Sequence, residues 1–595
     1  MISRITSVPI IRIILICAVV AGSIDVAWGE KTGHLFSRTL GNTVPQVISW
    51  FGFSVESIGD LTGDGVADLV VGAPQQTLDG IAQQGKVSVF SGRDGTILLT
   101  LLSPSPQPQA NFGEVVAVSD INRDGISDLV VGVRLQDVDG KEDQGAVHVF
   151  SGADGTLLSA IEAPIPQAHA FFGAALAPLY DRSNQTGRAE IVVGAPQQSF
   201  GDGAGEGAAF MLSATTGEPL SVILHPDPQD GAAFGWAVES VGDLDGDVVP
   251  DFIVGAPFQT VSGRELQGQV YVFSGGSVLS GQTVERPAHM YTLNFPDPDM
   301  PSARFGFALA SIHDVNDDGV PDLVVGAPTA DFGDLSNRGS AFIFSGADGM
   351  LLHTLTDPAP LQDAFFGAAL ISPGDVDGDG IADVAVGAPT PVTRGSAFVQ
   401  PGRVLLFSGA SGEHLVTLDP PSPGVGASFG FSLAAVGDVD GDGMPDLLAG
   451  APFHDVTLDE KTHAAQGEAF VIDGLGPDLK GKVLEVVRTV TVSGQDRLDF
   501  MVKIKNRGTV KTTVPFKVKV HISNDEAFDG GTLDPRVAKW KVVESLSPGA
   551  SIILTGVAEF NESVAGKFLL VRVDPKNEIA EKQEGNNIKR LKVPG

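Results

Sequence analysis

The 595-residue chain has a single cysteine, Cys17. It lies in the apolar run Ile13 to Val20, behind Arg4 and Arg12 and ahead of Ala27-Trp28-Gly29. A basic start, a short apolar core and small residues near a cut are the pattern of an export signal. The sequence therefore predicts a signal peptide over 1–29 and a mature chain from about Glu30. The run is too short to favour a permanent span, with an uncleaved anchor as the lesser reading. Bulky Ile16 before Cys17 argues against lipid attachment. The mature chain then has no thiol, which excludes disulfides, thiolate ligands and a cysteine nucleophile. Export without disulfides fits a bacterial protein. No later stretch could cross a membrane.

Charge of one sign is also scarce over most of the chain. Residues 1–29 hold two Arg against one Asp, and residues 478–595 hold twenty Lys or Arg against fifteen Asp or Glu. The net −35 therefore leaves −41 on 30–477. That split predicts two domains, and the acidic one is of the wrong sign for nucleic acid. The 11 histidines form no metal-ligand pair, and no Gly-x-Ser-x-Gly nucleophile motif stands out. Nothing has a sustained helical period.

What is present is repetition. Phe-Gly recurs at Phe51, Phe112, Phe172, Phe234, Phe305, Phe366 and Phe429, at spacings of 60 to 71 residues. About twenty residues after each comes an apolar run ending in Gly-Ala-Pro, as in Leu69 to Pro74 and Leu323 to Pro328; the second copy has Gly132-Val133-Arg134. An alternating segment, a turn and a last apolar stretch follow. Each copy reads as four short strands, A to D. A four-stranded sheet of this size cannot bury both faces alone, so seven copies predict a seven-bladed β-propeller over 30–477 rather than a linear array. The seventh copy stops near Gly474 without a strand D. Thr32 to Leu40 resembles the strand D of the sixth copy, Ser411 to Leu418, so the N-terminal strand is expected to complete the last blade.

Between strands A and B, six copies carry an acidic loop with oxygen ligands at positions 1, 3, 5, 7 (through the carbonyl) and 9. They are Asp60, Thr62, Asp64, Val66 and Asp68; Asp120, Asn122, Asp124, Ile126 and Asp128; Asp243, Asp245, Asp247, Val249 and Asp251. The later three are Asp314, Asn316, Asp318, Val320 and Asp322; Asp375, Asp377, Asp379, Ile381 and Asp383; Asp438, Asp440, Asp442, Met444 and Asp446. Glycine at position 6 allows the sharp bend. An all-oxygen, flexible shell favours Ca²⁺ over Mg²⁺ and zinc. An EF-hand would need flanking helices and a Glu at position 12. Asp and Gly make good hairpin turns, which explains one such loop but not carboxylates crowded in blade after blade. Up to six calcium sites are expected. The fourth is doubtful because Val248 replaces glycine, and the third blade (Asp181 to Glu190) is expected to have none.

The Phe-Gly, acidic-loop and Gly-Ala-Pro pattern over 32–474 resembles the FG-GAP repeat of integrin α-subunit propellers. The resemblance implies a seven-bladed ring, calcium on the A–B loops, and adhesion or ligand recognition, although FG-GAP repeats also occur in lectins and enzymes. Residues 478–595 read as an immunoglobulin-like β-sandwich, from the alternation in Arg497 to Lys505, Pro515 to Ile522 and Phe568 to Val573. This tail resembles the CARDB domain through Asn506 and Gly508, Leu546-Ser547-Pro548-Gly549, and Val573 to Glu578 with Glu584 to Asn587. That resemblance implies a bacterial adhesion module. Lys503, Lys505, Lys517 and Lys519 form either a polyanion stripe or, more often, a solvated sheet face.

Antiparallel strands put the A–B loops on one face and the B–C and D–A loops on the other. The longer B–C loops (Gln75 to Gly85, Leu135 to Gly145, Gln197 to Gly207, Phe258 to Gly268, Thr390 to Gly402, Phe453 to Gly467) are the expected ligand surface. The Asp-rich Gln136 to Asp143 reads as a solvated loop rather than an extra ion site. The leading expectation is a non-enzymatic, secreted or cell-surface protein, stabilised by calcium, that binds an extracellular protein or glycan and not nucleic acid. The periplasm is a further location, and a lyase, hydrolase or lectin on the same platform is the alternative.

Overall fold

The computed structural model describes residues 36–593 except 43, 180–188, 201–202, 276–286, 332–334, 391–400, 422–426, 442, 459–460, 474, 477–478, 491–495, 507–515, 524–535, 543–545, 547–550, 561–562, 566 and 574–587. The export-signal reading, the third-blade loop and the ending of the CARDB pattern lie largely or wholly outside those residues. No helix among the described residues is long and apolar enough to cross a membrane.

Residues 36–472 form seven four-stranded antiparallel sheets, six of them built from consecutive strands. The B strands (Asp68–Ala73, Asp128–Val133, Glu190–Ala195, Asp251–Ala256, Asp322–Ala327, Asp383–Ala388 and Asp446–Ala451) are buried along their whole length. Their unbroken β-branched and small apolar residues suit a strand covered on both faces. The A strands line the axis, and each packs beside the A strands of the blades before and after it. Val55–Gly59 of the first blade meets Leu433–Gly437 of the seventh, so the ring is closed.

The two sequence signatures have one physical cause. All seven Phe-Gly phenylalanines are fully buried between blades. The glycine of each Gly-Ala-Pro, or Gly132 in its place, faces the Phe-Gly glycine of the next blade. A Cβ on Gly326 would run into the carbonyl oxygen of Gly367. A side chain at either point would push the blades apart.

Closure takes the expected form. Phe36–Gly41 pairs antiparallel with the last blade's strand C, Glu468–Ile472, with Leu40 opposite Ala469. The propeller's first and last strands thus share one sheet. Within the B–C loop Phe453 to Gly467 a small hairpin pairs Val456–Leu458 with Lys461–His463.

The tail is a two-sheet sandwich. Leu479–Val490, Asp496–Asn506 and Ser551–Phe560 form one sheet; Arg536–Val542, Phe516–Ser523, Phe568–Val573 and Ile588–Lys592 form the other. Their inner rows, including Leu498, Val502, Val518, Val520, Leu569 and Val571, are a separate core. Asn506 Nδ2 donates to the Leu546 carbonyl at 2.8 Å, which ties together two of the places that carry the CARDB resemblance.

Candidate functional site

Each acidic loop folds around its own carboxylates. In the first blade Asp60 accepts the N–H groups of Gly63 and Gly65, both at 2.7 Å. The fourth, sixth and seventh blades repeat this, with Gly246 on Asp243 at 2.7 Å, Gly378 on Asp375 at 2.7 Å, and Gly441 and Gly443 on Asp438 at 2.8 Å. The position-5 carboxylate accepts the N–H two residues on: Asp64 from Val66, Asp124 from Ile126, Asp247 from Val249, Asp318 from Val320 and Asp379 from Ile381, at 2.8–2.9 Å. The carboxylates at positions 1 and 5 are thereby oriented inward by the backbone.

The position-9 aspartates have a second task that the spacing does not disclose. Asp68, Asp128, Asp251, Asp322, Asp383 and Asp446 are all fully buried. In each, Oδ2 accepts the N–H at loop position 2, as from Leu61 at 2.8 Å and Leu244 at 2.7 Å. In five of them Oδ1 also accepts from a C–D turn glycine: Gly92, Gly152, Gly275, Gly346 and Gly409, at 2.9–3.1 Å. These aspartates brace the A–B loop to the C–D turn whether or not they also bind an ion. Burial raises the proton affinity of Asp68, Asp128, Asp251, Asp322 and Asp383, to a pKa of about 7 for Asp251 and about 8 for Asp383.

Convergence is strongest in three blades. Asp243, Asp245 and Asp251, then Asp375, Asp377 and Asp383, then Asp438, Asp440 and Asp446 each bring three carboxylate oxygens within 4.8 Å of one another. Three such groups could each hold a metal ion. Where position 3 is Thr62, Asn122 or Asn316, a neutral oxygen replaces one carboxylate. Asn122 and Asn316 donate to Asp124 and Asp318, both at 2.8 Å. In the second blade Asp120 Oδ1 is buried and accepts no hydrogen bond among the described residues, as an oxygen reserved for a cation would be. The first blade differs again: Arg93 Nε reaches Asp64 Oδ2 at 2.9 Å, so a guanidinium already shares that carboxylate. Asp314 accepts the Asp318 N–H at 3.1 Å, Met444 is buried, and Asp442 lies outside the described residues.

The fourth blade's irregularity is visible. Val248 has φ 69° and is 62% exposed, in the place where Gly65, Gly125, Gly319, Gly380 and Gly443 have φ of 85–91°. The loop keeps its shape by holding a β-branched residue in the left-handed region.

The opposite face holds groups that repeat counting overlooked. The A strands surround an axial cavity of about 300 Å³ whose lining includes Phe53, Glu114, Trp236 and Leu433. At its mouth Trp50 stacks on Phe53 and meets Phe453 edge-on, and Phe53 touches Phe431, with centroids 4.7–5.7 Å apart. A second group joins Trp236 to Phe258 and Phe307 at 5.3 and 5.4 Å, with the Arg304 guanidinium over Phe258 at 5.4 Å. These rings are all half-buried. They flank the Phe-Gly and Gly-Ala-Pro motifs, and that fixed offset is the signal that would have found them.

The B–C loops are pinned hairpins rather than free loops. Leu78 bridges Ile81, Val138 bridges Lys141, and Val261 bridges Arg264. Gln46, Gln107, Gln167 and Gln229 of the D–A segments donate to the carbonyls of Gln75, Leu135, Gln197 and Thr260 at 3.1–3.4 Å. A recurring Pro-Gln pair (Pro45-Gln46, Pro106-Gln107, Pro166-Gln167, Pro228-Gln229) marks these braces in the sequence. In the Asp-rich loop, Asp137 accepts the Asp143 N–H at 2.9 Å and Asp143 pairs with His169 at 3.2 Å. The four lysines do not form one stripe: Lys503 and Lys505 lie in one sheet of the sandwich, Lys517 and Lys519 in the other.

Comparison with known proteins agrees with this geometry. The FG-GAP repeat profile matches residues 51–90, 112–150, 234–273, 305–344, 368–406 and 429–472, which leaves out the irregular third blade. The CARDB profile matches 476–590. Integrin alpha-5 of Xenopus laevis is 31% identical over 245 residues, covering 38% of this chain and 21% of that protein. Human integrin alpha-IIb is 31% identical over 283 residues, covering 44% and 24%. A phosphatidylinositol-glycan-specific phospholipase D of Rattus norvegicus is 36% identical over 219 residues, covering 34% and 25%. The chain thus spans a quarter or less of the length of these relatives. Among solved structures, BamB from Moraxella catarrhalis aligns over 69% of this chain and 82% of its own at a TM-score of 0.32 and 12% identity, too slight a likeness to argue from.

Proposed function

We propose that this chain, an FG-GAP propeller with a C-terminal CARDB domain, is an exported recognition or adhesion protein that grips an extracellular protein at the mouth of its axial channel. The observation that carries this reading is the pair of half-buried aromatic groups around Trp50 and Trp236, on the face away from the acidic loops. Large rings already held by their neighbours lose little entropy on binding and bury much area, as interface anchors do. Calcium in the A–B loops is the stabilising ion of the proposal: its oxygen ligands are supplied at positions 1, 3, 5, 7 and 9, and it neutralises carboxylates that otherwise repel. The integrin matches span 245 and 283 residues, a quarter or less of each relative, so the ligand follows from this chain's own surface rather than from theirs.

The test is binding to arrays of extracellular proteins and glycans in calcium buffer, comparing the natural chain with Trp50→Ala/Trp236→Ala. Loss of binding with an unchanged melting temperature supports the reading. Undiminished protein binding by the double variant overturns it. The phospholipase relative favours a second reading, an ester- or glycan-cleaving enzyme on the same platform, which turnover of such substrates by the purified chain would establish.

A further inference from the structure

The first acidic loop has a cation of its own. In five loops the N–H at position 7 holds Oδ1 of the position-5 aspartate, which leaves Oδ2 as the oxygen for an ion. In the first blade that oxygen goes to Arg93, in the turn between strands C and D. Arg93 donates from Nε to Asp64 Oδ2 at 2.9 Å and from Nη2 to the Asp64 carbonyl at 2.6 Å. The same turn position is Ala153, Ala347 and Ala410 in the second, fifth and sixth blades, so those turns bring no charge to their loops. Position 3 departs in the same loop. Thr62 spends its hydroxyl on Asp60 Oδ1 at 3.2 Å, where the other five loops have Asp or Asn.

We propose that the Arg93 guanidinium stands in for calcium in the first blade, so that this loop takes no metal ion while the other acidic loops do. The neutral donors of the second and fifth blades, Asn122 and Asn316, are a different case. An amide can turn its oxygen toward an ion, whereas a guanidinium has donors only and keeps its charge. Repulsion between a divalent ion and a guanidinium that share one carboxylate weakens binding by about tenfold even at the dielectric of water. The Arg93 side chain is 58% exposed, and an ion pair so exposed adds little to stability. Its effect is on which cation the loop holds. The blade that meets the seventh across the seam is thereby neutralised with or without calcium.

The test counts calcium bound to the full chain by equilibrium dialysis against millimolar calcium, with thermal melting to check the fold. Asp64→Asn should leave the count unchanged, whereas Asp379→Asn, at the matching place in the sixth blade, should lower it by one ion. Arg93→Ala/Thr62→Asp removes the guanidinium and gives the first loop the acidic residues of the sixth, so it should raise the count by one. Arg93→Ala alone leaves every loop oxygen in place and should act in the same direction if the double variant misfolds. Loss of an ion with Asp64→Asn, or a count unmoved by folded variants that lack Arg93, would overturn the proposal. An unchanged count with Asp379→Asn would instead overturn the calcium reading of the other loops, on which the proposal rests, so the two failures are told apart.

Discussion

Gly450 in the last blade and Gly52 in the first stand back to back, so that a Cβ on Gly450 would be driven into the Gly52 carbonyl oxygen. The same contact joins Gly72 to Gly113 and Gly387 to Gly430. The ring's seam is therefore packed like its other joints, and it differs only in that the N-terminal strand supplies its outermost strand.

A methyl group at the seam should loosen it. Gly450→Ala is expected to destabilise the propeller by ~1–3 kcal/mol, the usual cost of overpacking a fixed contact. Gly41→Ala, where an added Cβ meets nothing within 4 Å, is the control and should be close to neutral. Thermal denaturation of the two variants compares them directly. Equal melting temperatures would remove the close-approach explanation of the motif.

Calcium should matter most where three carboxylates converge. If each loop binds at ~10 µM, millimolar calcium adds ~2.7 kcal/mol per site. Chelation is expected to lower the melting temperature. Asp375→Ala should remove one bound ion from the count without the loss of the loop-to-turn brace that Asp383→Ala would also cause. Calorimetric titration gives the stoichiometry, and a melting temperature indifferent to chelator would count against structural calcium.

The fourth loop offers a gain of stability. Val248 is strained at φ 69°, and glycine at that point relieves ~1–2 kcal/mol while costing ~0.5–1 kcal/mol of unfolded-chain entropy. Val248→Gly should thus stabilise the chain modestly. It should also tighten metal binding in the fourth blade, since Asp243, Asp245 and Asp251 already converge. A lower melting temperature for Val248→Gly would contradict the strain.

How much of this was legible in the sequence follows from what each motif obeys. The Phe-Gly and Gly-Ala-Pro glycines are imposed by backbone approaching backbone, a requirement only one residue type meets, so blade number and closure could be counted. The acidic loops were legible because ligands on one curl of chain have fixed spacing. The brace from Asp68 to Gly92 was not, because it joins residues in separate turns. The grouping of Trp50 with Phe453 across the seam depends on closure itself. Lys503 and Lys519 were separated only by knowing which strands pair, since alternation reveals a face but not the sheet it belongs to.

The last prediction concerns Glu56 and Glu239, on the A strands of the first and fourth blades. Burial raises the Glu56 pKa to about 7, and burial together with the Glu56 charge raises that of Glu239 to about 8, against hydrogen bonds from Ser311. A folded-state pKa above the unfolded value of about 4.5 means that the folded chain holds the extra protons. The resulting stabilisation is complete below about pH 4.5 and is lost as pH rises through about 7 to 8. Both residues are partly exposed, so the combined effect is on the order of 2 kcal/mol. Glu56→Gln/Glu239→Gln mimics the protonated pair at every pH. It should exceed the natural chain in stability by that amount at pH 8.5 and match it near pH 4.5. Denaturant unfolding of both chains in saturating calcium isolates the pair, because the acidic loops are common to the two. A constant difference across that range would show that the two carboxyls do not titrate with folding.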